Sequence, residues 1–206
     1  MPIISELKRS EVTDPKTLVR FKEMFGDREP TVEPGTVNGT RGNLWTVTAH
    51  SPAAMEILEA SLVIMLKGDV MSRAHKELAI VRTNWNIGSQ FTFSQHIKVA
   101  RDVGVTAEQA DAIHCWQTSE LFDPVERLVL AYADDMSAHN GRVPDERMRA
   151  MRTHFTDEQI VELTYCISLW ILHSVNCRAL RLEWDDRDDP IVELPLPEGY
   201  AWTPGN

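Results

Sequence analysis

The sequence predicts an all-α fold, and three observations carry that reading. Helix caps and helix stops recur from Ser51 to Trp184. Between them, apolar residues return at three- and four-residue spacing, the period of a helix with one buried face. Period-two alternation is nearly absent outside Ile191 to Leu196, so no convincing strand is legible.

The first fifty residues stand apart. A helix begun at Asp14 to Phe25 is broken by the stretch from Gly26 to Gly42, which collects Pro30, Pro34, Gly35, Asn38 and Gly39. Ser51-Pro52 then supplies a cap followed by proline at the first helical position, and Met55, Leu58, Leu62 and Met65 recur behind it until Gly68. Ser72 caps the next helix, with Leu78, Val81 and Trp85 as its stripe, and Gly88 breaks it. A helix from about Ser89 to Val103 ends at Gly104. Thr106-x-x-Gln109 is a capping box for a short helix reaching about Thr118, and Asp123-Pro124-x-Glu126 opens another. Pro144 opens a short helix ending near His154. Thr156-x-x-Gln159, fifty positions after the first capping box, opens a long apolar helix through Trp170 and towards Trp184. Two pseudo-symmetric units or two independent caps would equally produce that echo. The prolines at 190, 195, 197 and 204 forbid further helix. The expected organisation is an N-terminal extension and loop (1–50), a helical domain (51–184) and an extended arm (185–206) crossing to a neighbouring subunit.

Composition narrows the function. With 206 residues and 43% apolar content, the chain has the material for one packed core. A net charge of −10 argues against nucleic acid or an anionic membrane as the main partner. Uninterrupted apolar runs are about half the ~20 residues that a bilayer span needs, and Met1 to Glu6 lacks the basic and apolar regions of a signal peptide. Cys115, Cys166 and Cys177 form no CxxC and no metal spacing, which suits reduced thiols in the cytoplasm. No His and carboxylate pairing has a zinc or iron signature, and no glycine-rich phosphate loop or dinucleotide fingerprint is present, so no metal or cofactor is expected.

The informative stretch runs Lys76-Glu77-Leu78-Ala79-Ile80-Val81-Arg82-Thr83 and then Gly88-Ser89-Gln90-Phe91-Thr92-Phe93-Ser94-Gln95-His96. Ser89, Thr92 and His96 fall within a ~60° arc of one helix face. Glu77 lies on a helix otherwise destined for the core, where lost hydration favours the protonated carboxyl and suits it to proton transfer. Folding back at residues 86–88 brings Glu77 level with His96. Each residue also has a plainer use. Ser89 suits an N-cap, Thr92 a bond to the preceding turn, and Glu77 an ion pair with Arg82 or Arg73.

This stretch resembles the carboxymuconolactone decarboxylase and AhpD-like family. The resemblance rests on Ala49-His50-Ser51-Pro52, Lys76-Glu77-Leu78, the segment ending in His96, Gly104-Val105-Thr106-x-Glu108 and Asp123-Pro124-x-Glu126-Arg127, and spans about Leu44 to Arg181. It implies an AhpD-like helical bundle assembled into dimers, trimers or hexamers. Peroxidase-type members carry Cys-x-x-Cys, three residues and His, with a glutamate on the preceding helix. Those positions fall on Ser89, Thr92, His96 and Glu77. Hydroxyls replace both sulfurs, and a hydroxyl cannot form a disulfide, which excludes dithiol peroxide reduction at this site. Other members carry aromatic-Glu-Trp-x-x-His, whose glutamate falls on Thr92.

The expectation is a lyase-like acid–base enzyme acting on a small cyclic or lactone-type carboxylate by decarboxylation, isomerisation or elimination. Glu77 and His96 would share the base and acid roles. Ser89 and Thr92 would bind a substrate oxygen, and Phe91, Phe93 and Trp85 would form an apolar wall. Two alternatives stand beside it: an AhpD-like peroxidase relic using another cysteine, and a non-catalytic binder of a small apolar ligand.

Overall fold

In a computed structural model of the chain, residues 2–33, 43–66 and 70–182 are described, and all their regular structure is helical. The helices are α1 (Pro15–Phe25), α2 (Asn43–Thr48), α3 (Pro52–Leu66), α4 (Arg73–Ile87), α5 (Gln90–Asp102), α6 (Ala107–Ala112), α7 (Pro124–Ser137), α8 (Asp145–His154) and α9 (Asp157–Leu180), with short 3₁₀ turns at Arg9–Glu11 and Ile113–Cys115. The sequence reading missed α2 and carried the helix after Thr106 a few residues too far. The expected arm at 185–206 and the stop at Gly68 lie outside the described residues.

Local chemistry sets the helix starts. Asp14 Oδ2 accepts the Thr17 N–H, Ser51 Oγ that of Ala54, Ser72 Oγ that of His75, and Asp123 Oδ1 those of Val125 and Glu126. Each bond satisfies a backbone donor that the helix itself leaves unpaired. Thr106 and Thr156 both form complete capping boxes, yet the helices they open differ, six residues against 24.

α4 is the axis of the bundle, packed against α5, α7 and α9. Nine consecutive residues, Lys76 to Asn84, are buried. A helix covered on every side has little amphipathic contrast, and its polar residues need partners inside the protein. Arg82 donates to both carboxylate oxygens of Asp134, which also takes Asn86 Nδ2 and Trp116 Nε1. Lys76 pairs with Glu162 at 3.0 Å. On one flank, Leu78, Phe93, Ile97, Ile113 and Leu130 form a core; on the other, Ala79, Val129, Tyr132, Leu163 and Ile167 form a second. The N-terminal segment docks through Phe21, Phe25 and Trp45 onto Met55 and Leu58 of α3.

α9 corrects one sequence argument. At 24 residues it is long and apolar enough, by length and composition, to cross a membrane. Counting uninterrupted runs missed this, because Ser and His residues interrupt the sequence without breaking the helix. Its inward face, including Leu163, Cys166, Ile167, Trp170 and Ser174, is buried in the bundle, while Val161, Tyr165, Leu172 and Val175 on its outer face are exposed.

Candidate active site

Gly88 creates the site's geometry. At φ +72° it closes α4 in the left-handed conformation that glycine adopts without strain, and its N–H reaches the Asn84 and Trp85 carbonyls. The chain reverses there, and α5 packs back along α4 with α9 alongside. Side chains then meet across this three-helix seam at two levels.

At the first level, His96 Nδ1 donates to Glu77 Oε2 at 2.7 Å. Glu77 Oε1 accepts from Arg73 Nε at 2.9 Å and from Arg73 Nη2 at 2.8 Å. On the far side of the imidazole, Trp170 Nε1 donates to His96 Nε2 at 2.5 Å, with the two rings edge to face at 4.9 Å. The Glu77 side chain is fully buried, and His96 keeps 15% of its side-chain surface exposed. A buried carboxylate is costly unless paired and hydrogen-bonded, and Arg73 supplies the countercharge. Because an indole N–H can only donate, its bond to Nε2 fixes the imidazole as the neutral tautomer protonated at Nδ1.

One or two turns further along, Thr92 Oγ1 lies 2.9 Å from Ser174 Oγ, which donates to Asn84 Oδ1 at 2.8 Å. Ser89 occupies the N-cap of α5, but its hydroxyl makes no cap bond. Ser89 Oγ and Asn84 Nδ2 are both buried without a protein partner.

The spacing argument for Glu77 and His96 therefore holds as geometry: they bond directly. Of the two hydroxyls, Thr92 is spent on Ser174 and on the Ser89 carbonyl. Ser89 and Thr92 are both buried one level away from the imidazole, and neither lines the cavity between α2, α3 and α9. The expected aromatic wall does not assemble. Phe93 and Trp85 pack together at 5.8 Å in the core beside α6 and α7. Phe91 faces the other way, against Val47, Cys177 and Leu182, because residues two apart on a helix point about 200° apart. Reading by sequence missed Trp170, Asn84 and Ser174. Their spacing was a faint signal: Asn84 follows Glu77 by seven residues, and Ser174 follows Trp170 by four, as His96 follows Thr92.

The cysteines offer no dithiol. Cys115 is exposed, while Cys166 and Cys177 are buried. Burial, with the nearby Glu77 carboxylate adding to it, pushes the Cys166 thiol far up, and burial alone pushes Cys177 up to about 12. Among the described residues no group of three His, Cys, Asp or Glu side chains is placed to hold a metal ion.

Comparison with known proteins agrees with this architecture. Residues 49–135, which include α3, α4, α5 and most of α7, match the model of the carboxymuconolactone decarboxylase family. That segment is a carboxymuconolactone decarboxylase family region, and the fold around it is AhpD-like. An uncharacterized protein of Bacillus subtilis (strain 168), YdfG, is 27% identical over 119 residues, 57% of this chain and 80% of the relative. A putative antioxidant defence protein AhpD of unknown function from Agrobacterium tumefaciens superposes with a TM-score of 0.61 at 24% identity, covering 66% of this chain and 92% of that one. The debrominase Bmp8 superposes with a TM-score of 0.70 at 16% identity over 89% of this chain and 92% of its own. A variant of Bmp8 has been seen in complex with 2,3,4-tribromopyrrole. At such identities these neighbours share the fold, one on which enzymes acting on small molecules are built.

Proposed function

We propose that this protein is an acid–base enzyme acting on a small cyclic substrate, with His96 as the proton acceptor and Glu77 as the residue that holds it. The supporting observation is the chain Arg73–Glu77–His96–Trp170. Glu77 occupies Nδ1, so the only lone pair on the imidazole is at Nε2. In the free protein the Trp170 N–H takes that lone pair, and a substrate must displace it. A proton then moves from the carbon beside a substrate carbonyl to Nε2, leaving an enolate, and the buried Glu77 carboxylate offsets the new imidazolium charge. Return of the proton to a neighbouring atom of the enolate completes an isomerisation; in a decarboxylation, loss of carbon dioxide from that carbon itself leaves the enolate, and His96 carrying a proton on Nε2 delivers it there. Proton transfer of this kind needs no cofactor. Ser89 Oγ and Asn84 Nδ2, buried without protein partners one or two turns along the seam, are groups that a bridging water would satisfy.

The test is proton exchange. A panel of lactones and cyclic keto acids is incubated with the protein in deuterium oxide and followed by NMR. Exchange next to a carbonyl is expected with the natural protein and should fall ~100-fold or more in His96→Ala. Exchange equally fast in His96→Ala would overturn the reading. A non-catalytic binder is the second reading, favoured by one observation: Glu77 is fully enclosed by its partners.

A further inference from the structure

A cavity of about 400 Å³ opens on the opposite flank of α9, between α9, α2 and α3. It lies apart from Glu77 and His96, neither of which lines it. Its walls are mainly aliphatic, with Leu44, Val47, Ile57 and Leu58 on one side and Leu172 and Leu180 on the other. Among the described residues, no Lys, Arg, Asp or Glu lines it. Volumes in this range and a lining of this kind are typical of small-molecule sites.

Thr48, His50, Ser51 and Asn176 also reach the lining, none of them buried, and one buried ring, His173, breaks the apolar wall. His173 is 9% exposed, and its Nε2 lies 2.7 Å from Ser61 Oγ. That hydroxyl already donates to the Leu58 carbonyl at 2.6 Å, so it accepts from His173 Nε2–H. The proton on Nε2 leaves Nδ1 as a bare acceptor, and among the described residues no protein group donates to it. Burial and the neighbouring His96 push the ring down to about 4, so it stays neutral near pH 7. The Trp170 indole stands edge-on to it at 5.6 Å.

We infer that this cavity is a binding site for an uncharged, largely apolar small molecule that presents one O–H or N–H donor to His173 Nδ1. Among the described residues no Lys or Arg faces an anion here, and burying an unpaired charge is far costlier than burying a paired donor. The inference does not depend on the acid–base reading, since binding here requires no chemistry at His96.

Calorimetry on the full chain with three probes of one shape tests it. 2-Naphthol should bind with a Kd on the order of 10–100 µM. 2-Methoxynaphthalene, which has no donor, should bind about fivefold more weakly, and 2-naphthoate more than tenfold more weakly. His173→Phe should abolish the preference for 2-naphthol over its methyl ether. Ala54→Trp and Ile57→Trp, both at exposed positions of the cavity lining, should weaken all binding at least tenfold while circular dichroism is unchanged. No binding of 2-naphthol, equal binding of the naphthol and its ether, tighter binding of the naphthoate, or undiminished binding in both tryptophan variants would overturn the inference. Catalytic failure in the exchange assay would leave it standing.

Discussion

Glu77→Gln should destabilise the protein although it changes one atom of a side chain. Three donors converge on this carboxylate: Arg73 Nε and Nη2 on one oxygen and His96 Nδ1 on the other. Two carboxylate oxygens accept them all, but an amide replaces one of those acceptors with an NH₂ group that only donates. If its carbonyl faces Arg73, its NH₂ meets Nδ1–H, and moving that proton to Nε2 sets it against the Trp170 N–H. If its carbonyl faces His96, its NH₂ confronts the guanidinium. Each arrangement leaves a donor against a donor, at a cost of about 1–3 kcal/mol, and the loss of charge assistance adds to it. Arg73, whose side chain is 34% exposed, recovers part of this by turning to water. The expected loss is ~2–3 kcal/mol, a fall in Tm of roughly 4–12 °C for a chain of this size. Urea denaturation measures the loss, and ¹⁵N NMR of the histidine rings reads the tautomer. A variant within ~0.5 kcal/mol of the natural protein, with His96 still protonated at Nδ1, would refute the network, since surface changes of no structural consequence stay within that range.

His173 predicts an acid sensitivity. Its folded pKa, lowered to about 4 from 6.5, means the unfolded chain binds more protons between those values, so stability is intact above about 6.5 and lost as pH falls towards about 4. The full effect is roughly 3 kcal/mol, and His173→Gln should flatten the Tm profile across that window; an unchanged slope counts against the buried neutral ring. With a thiol reagent at neutral pH, the native protein should titrate one cysteine, Cys115, and the denatured protein three; rapid reaction of two or more in the native state contradicts the burial of Cys166 and Cys177. Along α9, Val161, Tyr165, Ser168, Leu172 and Val175 are exposed at alternating four- and three-residue steps, the spacing of a helix-pairing seam. Light scattering should therefore give a multiple of 23.4 kDa, and Tyr165→Lys with Leu172→Glu should reduce it to that mass; a natural protein already at 23.4 kDa removes the seam.

Much of the architecture was legible in the residues themselves. Asp14, Ser51, Ser72, Thr106, Asp123 and Thr156 announce helix starts because capping is a bond between a side chain and a backbone only two or three residues away. Gly88 announces the reversal, and with a 1.5 Å rise per residue the reversal alone sets Glu77 opposite His96. The third member of that level was not legible. Trp170 lies 74 residues beyond His96, and only the packing of α9 against α4 and α5 decides that its indole, rather than an open pocket, meets Nε2. The same holds for Asn84 and Ser174, which look like ordinary helix residues until the helices meet. Phe91 and Phe93 were divided between two cores by a backbone geometry that a list of aromatic neighbours does not contain. His173 had no partner at any recognisable spacing, because its partner, Ser61, is 112 residues away. Caps, breaks and turns depend on neighbours in the chain, and the sequence alone determined them. The closure of the imidazole by Trp170 and the placement of the cavity depend on contacts between distant segments, and only the tertiary structure decided those.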